Sequence, residues 1–105
     1  MSIAGPANQA IDDAVSNSVS LGVPFVVAAG NESRDADEDS PARLGGPNGN
    51  SGVITVGATV IDDTLATFSN TGPNVDILAP GQDVLSVGVA SDTAVQNLSG
   101  TSMST

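Results

Sequence analysis

Val23-Pro24-Phe25-Val26-Val27-Ala28-Ala29-Gly30-Asn31 is the stretch on which the reading of the fold turns. Its first half is an apolar, β-rich run, the pattern of a strand buried on both faces. It closes on two alanines, a glycine and an asparagine. Small residues there let another backbone or a ligand approach closely, and the Asn31 carboxamide brings N–H donors to the carboxyl end of the strand. In open α/β sheets that end is where ligands bind. Upstream, Pro6 to Leu21 reads as a helix. Pro6 suits the first helical position, Asp12 and Asp13 lie in the amino-terminal half, and Gly22 is a natural stop. Ala7, Ile11, Ala14, Val15 and Ser18 recur at helical spacing. A strand over Ser2–Gly5, this helix and a strand over Pro24–Ala29 predict a β-α-β unit, with parallel strands and a right-handed crossover. The fold class is α/β.

Downstream, residues Asn31 to Gly52 read as a long polar loop and Val53-Ile54-Thr55-Val56-Gly57-Ala58 as the next interior strand. Ala66–Ser69 and Val75–Leu78 read as shorter strands. Val84–Val87 and Ala94–Ser99 suggest a hairpin that leads into Gly100-Thr101-Ser102-Met103. A small-residue turn of this kind suits a strand that bends sharply into a helix. The central serine then offers its hydroxyl at a helix amino terminus, where free N–H groups favour developing negative charge. Taken singly, Gly100-Thr101-Ser102 is also an ordinary N-cap turn and Ala28-Ala29-Gly30-Asn31 an ordinary Asx turn. Together they place an attacking oxygen and a side-chain amide donor on neighbouring strand ends, two of the parts that acyl transfer requires.

Five motifs occur in an order that resembles the subtilisin-like serine proteases, the subtilases. They are Ser2-Ile3-Ala4-Gly5, Ala28-Ala29-Gly30-Asn31, Phe68-Ser69-Asn70-Thr71-Gly72, Asp76-Ile77-Leu78-Ala79-Pro80-Gly81 and Gly100-Thr101-Ser102-Met103-Ser104-Thr105. The chain is similar in particular to the proteinase K and subtilisin branches, from Met1 to Thr105. The resemblance implies that residues 1–105 are a partial catalytic domain within a parallel-sheet sandwich, lacking the segments that carry the triad Asp and His and the helix behind the serine. It implies peptide-bond hydrolysis through an acyl-enzyme, with Ser102 as nucleophile and Asn31 as oxyanion donor. It also implies that Ser2, Ile3 and Ala4 on one side, and Ala28, Ala29 and Gly30 on the other, line the peptide-binding groove. A structural calcium ion is implied as well, held by Asp76 with the carbonyls of Ser51 and Val53, and hard oxygen ligands suit that ion.

Three departures from the family pattern stand out. Ala4 takes a place that is usually glycine, and its methyl narrows the groove where a peptide pairs by strand addition. Ser104 stands where alanine is common. The stretch Gly45-Gly46-Pro47-Asn48-Gly49-Asn50-Ser51-Gly52 is longer than the usual family connection and reads as a surface insertion.

The 105 residues contain no histidine, and Arg34 and Arg43 are the only basic side chains. Serine needs an adjacent base to act as a nucleophile, and guanidinium stays protonated. The chain alone is therefore expected to be inactive, with the missing amino-terminal catalytic segment as its partner. The alternatives are a non-catalytic chain that binds peptides or another protein through its strand edges, and a truncated product.

A formal net charge of −10 without basic clusters argues against nucleic acid or an anionic membrane as partner. No run approaches the roughly twenty apolar residues of a membrane span. With no cysteine there is neither a disulfide framework nor a thiolate metal site, which leaves the compartment open. No signal sequence is visible; secretion is implied by the resemblance alone. The acidic cluster Asp35, Asp37, Glu38 and Asp39 fails the EF-hand pattern, with Ser40 and Gly46 where glycine and glutamate belong, and reads as a solvated loop. Asn31-Glu32-Ser33 and Asn97-Leu98-Ser99 are formal glycosylation sequons; the first reads as chance, since a sugar would block the Asn31 amide. With Phe25 and Phe68 the only aromatics, the core is small, and poor autonomous stability is expected.

Overall fold

A computed structural model describes residues 1–105, in the order β1 (Gly5–Pro6), α1 (Gln9–Ser20), β2 (Phe25–Ala28), β3 (Asp39–Ser40), β4 (Val53–Thr59), β5 (Ile77–Pro80), β6 (Val84–Val87), β7 (Val95–Leu98) and α2 (Thr101–Ser104). The apolar runs read as interior strands form a parallel sheet in the order β2-β4-β5. Val27 lies opposite Thr55, and Val56 opposite Ile77. The central strand β4 is buried at every residue except Ile54, which is why it is built from Val, Thr, Gly and Ala without a charge.

Helix α1 packs on one face of this sheet, where Val15, Val27 and Val53 form the core and Val19, Phe25 and Leu44 close around it. On the other face Val26 and Ile54 are each 41% exposed and Ile77 is 53% exposed. Parallel sheets are normally covered on both sides. This one is covered on one side over its amino-terminal half, while α2 packs against β4 and β5 nearer the carboxyl end.

Several elements differ from the sequence reading. Ser2–Gly5 is not a strand alongside β2. Only Met1 pairs there: its amino group donates to the Val26 carbonyl, and its own carbonyl accepts the Ala28 N–H at 3.3 Å. Ser2, Ile3 and Ala4 then leave the sheet edge as exposed chain. The strand that follows, β1, pairs antiparallel with β3, Gly5 opposite Ser40 and Pro6 opposite Asp39. Pro6 thus belongs to a strand, and α1 starts three residues later, at Gln9. The cause is local: Ser40 Oγ accepts the Asn8 N–H at 2.8 Å and the Glu38 carbonyl accepts the Ala7 N–H at 2.9 Å, which keeps the chain extended. Asn8 then caps the helix, its Oδ1 accepting the Ala10 N–H at 3.0 Å.

The segment from Asn31 to Gly52 is not a plain solvated loop. It carries β3 between two short 3₁₀ turns, Ala36–Glu38 and Ala42–Leu44, and it buries Asp39, Ser40, Pro41 and Ala42. Asp35, Asp37 and Glu38 are exposed as expected. Ala66–Ser69 forms no strand, and β5 starts two residues later than the hydrophobic pattern suggested. The hairpin is present, with Val84 opposite Leu98 and Val87 opposite Val95, and all of β7 is exposed.

One ion pair ties the helix to the loop. Arg43 Nε donates to Asp12 Oδ2 at 2.6 Å, and Asp12 is 3% exposed with its Oδ1 unpartnered. Removing the guanidinium leaves an uncompensated buried carboxylate. Arg43→Ala is expected to cost about 3 kcal/mol, against about 1 kcal/mol for Asn8→Ala at the helix cap. Urea unfolding of the two variants should reproduce that order; equal losses would mean that Asp12 is adequately solvated without its partner.

Candidate active site

The carboxyl end of β2 continues into Ala29, Gly30 and Asn31, and β5 ends at Pro80 and continues into Gly81. Gly81 receives the turn after the hairpin, its carbonyl accepting the Gly100 N–H at 2.7 Å. That bond sets the first residues of α2 against the end of β2. Thr101, fully buried, makes the junction: its N–H and its hydroxyl both donate to Asn31 Oδ1, at 2.8 and 3.0 Å. Its Oγ1 also accepts the Gly30 N–H at 3.2 Å.

These bonds fix the Asn31 carboxamide. With the oxygen engaged, the Nδ2 donors face the other way. A single point beside Gly100, where a Cβ would stand, lies 3.7 Å from Asn31 Nδ2 and 3.7 Å from the Ser102 nitrogen. The first turn of a helix has no internal acceptor for its N–H groups, so the Ser102 N–H is available beside the amide. Ser102 itself is half-buried, and its carbonyl accepts a hydrogen bond from Ser2 Oγ at 3.2 Å.

A second tier of polar contacts holds the Gly30–Arg34 turn. Asn70, fully buried, donates from Nδ2 to the Ala29 carbonyl at 3.1 Å, to Glu32 Oε2 at 3.1 Å and to Asp39 Oδ2 at 2.7 Å. Its Oδ1 accepts the N–H groups of Glu32 at 2.9 Å and Arg34 at 3.2 Å. Asp39 is in turn held by a two-pronged contact from Arg34, Nε to Oδ2 at 3.1 Å and Nη2 to Oδ1 at 2.6 Å. The Asp39 hydrogen bond raises the Arg34 guanidinium above its already high pKa, so this cation stays charged at every working pH. Gly30 is required where it stands: φ is +107°, and a Cβ would lie 2.3 Å from Asn70 Nδ2.

The structure therefore brings Ser2, Ala29, Gly30, Asn31 and Ser102 to one end of the sheet. Ile3 and Ala4 are exposed beside it and make no side-chain hydrogen bond there. Asp76 lies elsewhere, immediately before β5 and so at the opposite end of the sheet. Its carboxylate accepts the Thr55 N–H at 2.7 Å and the Gly46 N–H at 3.1 Å to each oxygen. Sequence reasoning missed Thr101, Asn70 and Asp39. For Asn70 the signal was its place within a motif; for Thr101 it was adjacency to the serine. Nothing in the sequence marks Asp39, which sits among acidic neighbours that are exposed.

The sequence signature of the subtilase family matches residues 1–105. An extracellular serine proteinase of Thermus sp. (strain Rt41A) is 49% identical over 105 residues, all of this chain and 24% of that protein. Alkaline protease 1 of Aspergillus flavus is 47% identical over 105 residues, again all of this chain and 25% of its length. The crystal structure of a cold-adapted subtilisin-like serine proteinase superposes with a TM-score of 0.84 at 40% identity, covering 97% of this chain and 34% of that one. The chain belongs to the subtilase family of serine proteases. It spans about a quarter of the length of these two curated relatives.

The Asn70 side chain is expected to be the least replaceable polar group of the site. Asn70→Ala strips partners from the buried Asp39 and from three backbone groups. Its expected cost is about 3 kcal/mol, seen as a lowered denaturant midpoint. A loss within about 0.5 kcal/mol would match a surface substitution and contradict the network.

Proposed function

We propose that this chain is the nucleophile-bearing part of a serine endopeptidase catalytic domain. Ser102 attacks the substrate carbonyl, and Asn31 Nδ2 with the Ser102 N–H stabilises the resulting oxyanion. The observation that carries this reading is the Thr101–Asn31 contact. It commits the carboxamide oxygen and leaves its N–H donors beside the serine, preorganised before any substrate arrives. Ser2 to Ala4 run as exposed chain beside the serine turn, a segment suited to pairing with a peptide backbone. Ala28 to Gly30, by contrast, are buried, with their N–H groups already bonded to the Met1 carbonyl, the Val56 carbonyl and Thr101 Oγ1, and would back the groove without pairing with a peptide. Ala4 is exposed on the first of these segments, so a peptide pairing there would meet its methyl.

The 105 residues contain no histidine or lysine, and none of the twelve acidic side chains is hydrogen-bonded to the Ser102 hydroxyl, so no base for its proton stands beside it. Hydrolysis therefore requires a base, and the carboxylate that orients it, from polypeptide outside this stretch. The exposed sheet face at Val26, Ile54 and Ile77 is consistent with further layers packing there. The name of the Thermus relative, an extracellular proteinase, favours work outside the cell on protein substrates.

The 105-residue chain by itself is expected to leave a fluorophosphonate probe unreacted; stoichiometric labelling lost in Ser102→Ala would show that a base is present after all. In an intact protein supplying the histidine and aspartate, Asn31→Leu should lower kcat by about 100- to 1000-fold with KM little changed, a magnitude carried over from subtilisin itself. Thr101→Val should lower kcat by about tenfold, because the amide keeps its donors but loses one of two anchors. Asn31→Leu with kcat near the parent value would return Asn31 to a turn residue.

A further inference from the structure

The family resemblance implies a calcium ion on Asp76 with the carbonyls of Ser51 and Val53. Of the two carbonyls the resemblance names, that of Val53 lies on β4 and that of Ser51 just before it. Carbonyls alternate along a strand, and the Thr55 carbonyl faces the β5 side, where it accepts the Asp76 N–H at 2.9 Å. The Val53 carbonyl, two residues earlier, faces the same side. The carboxylate is different. Gly46 N lies 3.1 Å from both Oδ1 and Oδ2, so its hydrogen sits on the bisector of the carboxylate. That is the seat a calcium ion bound through both oxygens takes. Oδ2 also receives the Thr55 N–H at 2.7 Å. Two N–H groups thus present partial positive charge to the lone pairs that a cation needs.

This approach is built into the segment and is not a chance contact of a mobile loop. A Cβ on Gly45 would lie 2.3 Å from Thr55 Oγ1 and 2.7 Å from Asp76 Oδ2. Gly46 has φ of +80°, and a Cβ there would lie 2.3 Å from the Pro73 carbonyl. Only residues without side chains let the backbone lie on the carboxylate this closely. The loop is closed by the Asn50 N–H donating to the Leu44 carbonyl at 2.7 Å and the Gly49 N–H donating to the Gly46 carbonyl at 3.0 Å. Asn74 Nδ2 donates to the Arg43 carbonyl at 2.6 Å, and Arg43 is itself held by Asp12. Gly45 is buried, so the stretch read as a surface insertion begins inside the fold.

We propose that the Gly45–Asn50 loop takes the place of calcium at Asp76. The Gly46 N–H, with that of Thr55, supplies the positive end that the carboxylate needs, and this corner of the fold is held without a divalent cation. The inference concerns the end of the sheet opposite Ser102 and does not depend on the catalytic reading.

The test compares thermal unfolding of the intact protein and its Asp76→Asn variant in about 5 mM calcium chloride and in about 5 mM EDTA, a concentration that fills even weak extracellular sites. Calcium is expected to shift both proteins equally, because any response comes from sites other than Asp76. A calcium-induced rise in the parent that exceeds the variant's by more than about 3 °C would overturn the proposal. A protein in which Gly45–Asn50 is replaced by a connection of two residues is expected to gain a calcium response that Asp76→Asn removes. If that shortened protein folds and gains none, the loop is not what displaces the ion. Should either variant fail to fold, the parent decides alone: its Gly46 amide resonance is expected to hold its position through a calcium titration. A saturable shift of that resonance would overturn the idea.

Discussion

The Thr101 N–H and hydroxyl meeting one asparagine oxygen is the contact on which the carboxyl end of the sheet depends. It joins residues 70 positions apart, the end of β2 and the start of α2. Without it the Asn31 amide is a solvent-exposed rotor and the serine turn has no fixed relation to the sheet. With it, amide orientation and the position of Ser102 become one property of the fold. Thr101 is fully buried, so the bonds form away from competing water, where leaving them unmade is costly.

Asn70 extends the same logic one layer deeper. Three of its contacts and both of its accepted hydrogen bonds go to the turn that carries Asn31 or to the carboxylate beneath it. The Arg34–Asp39 pair completes the layer by neutralising a carboxylate that has no access to water. The pair is one-sided: the Asp39 carboxylate is fully buried and cannot lose its partner without leaving an uncompensated charge, whereas the Arg34 side chain is about a third exposed and stays solvated. Its value here is positional: it fixes the floor on which the Gly30–Arg34 turn rests.

The two ends of the sheet treat their polar groups differently. At the carboxyl end, the Asn31 carboxamide N–H donors are left free beside the Ser102 nitrogen. At the amino end, the Asp76 carboxylate is met by backbone donors from Gly46 and Thr55. Glycine makes both possible, at Gly30 by tolerating a positive φ beside Asn70 and at Gly45–Gly46 by lying directly on a carboxylate.

Much of the fold was legible in the sequence, because burial on both faces forces continuous apolar runs and those runs mark β2 and β4 directly. The serine turn and the asparagine at the strand end are each ordinary turn sequences taken singly, and only their joint occurrence in order singled them out. The absence of histidine was plain in the sequence, and it means that the chain brings no imidazole to the serine. Other features were decided only by tertiary contact. Pro6 favours a helix start in isolation, yet pairing with β3 draws it into a strand and hands the cap to Asn8. Ser2–Ala4 has the composition of a strand, but only Met1 reaches β2. Asp39 is one acidic residue among several, and only the meeting of Arg34 and Asn70 around it shows that it is interior. Local propensity reports what a segment prefers alone. Which preference prevails is set by partners distant in sequence, and those exist only once the chain has folded.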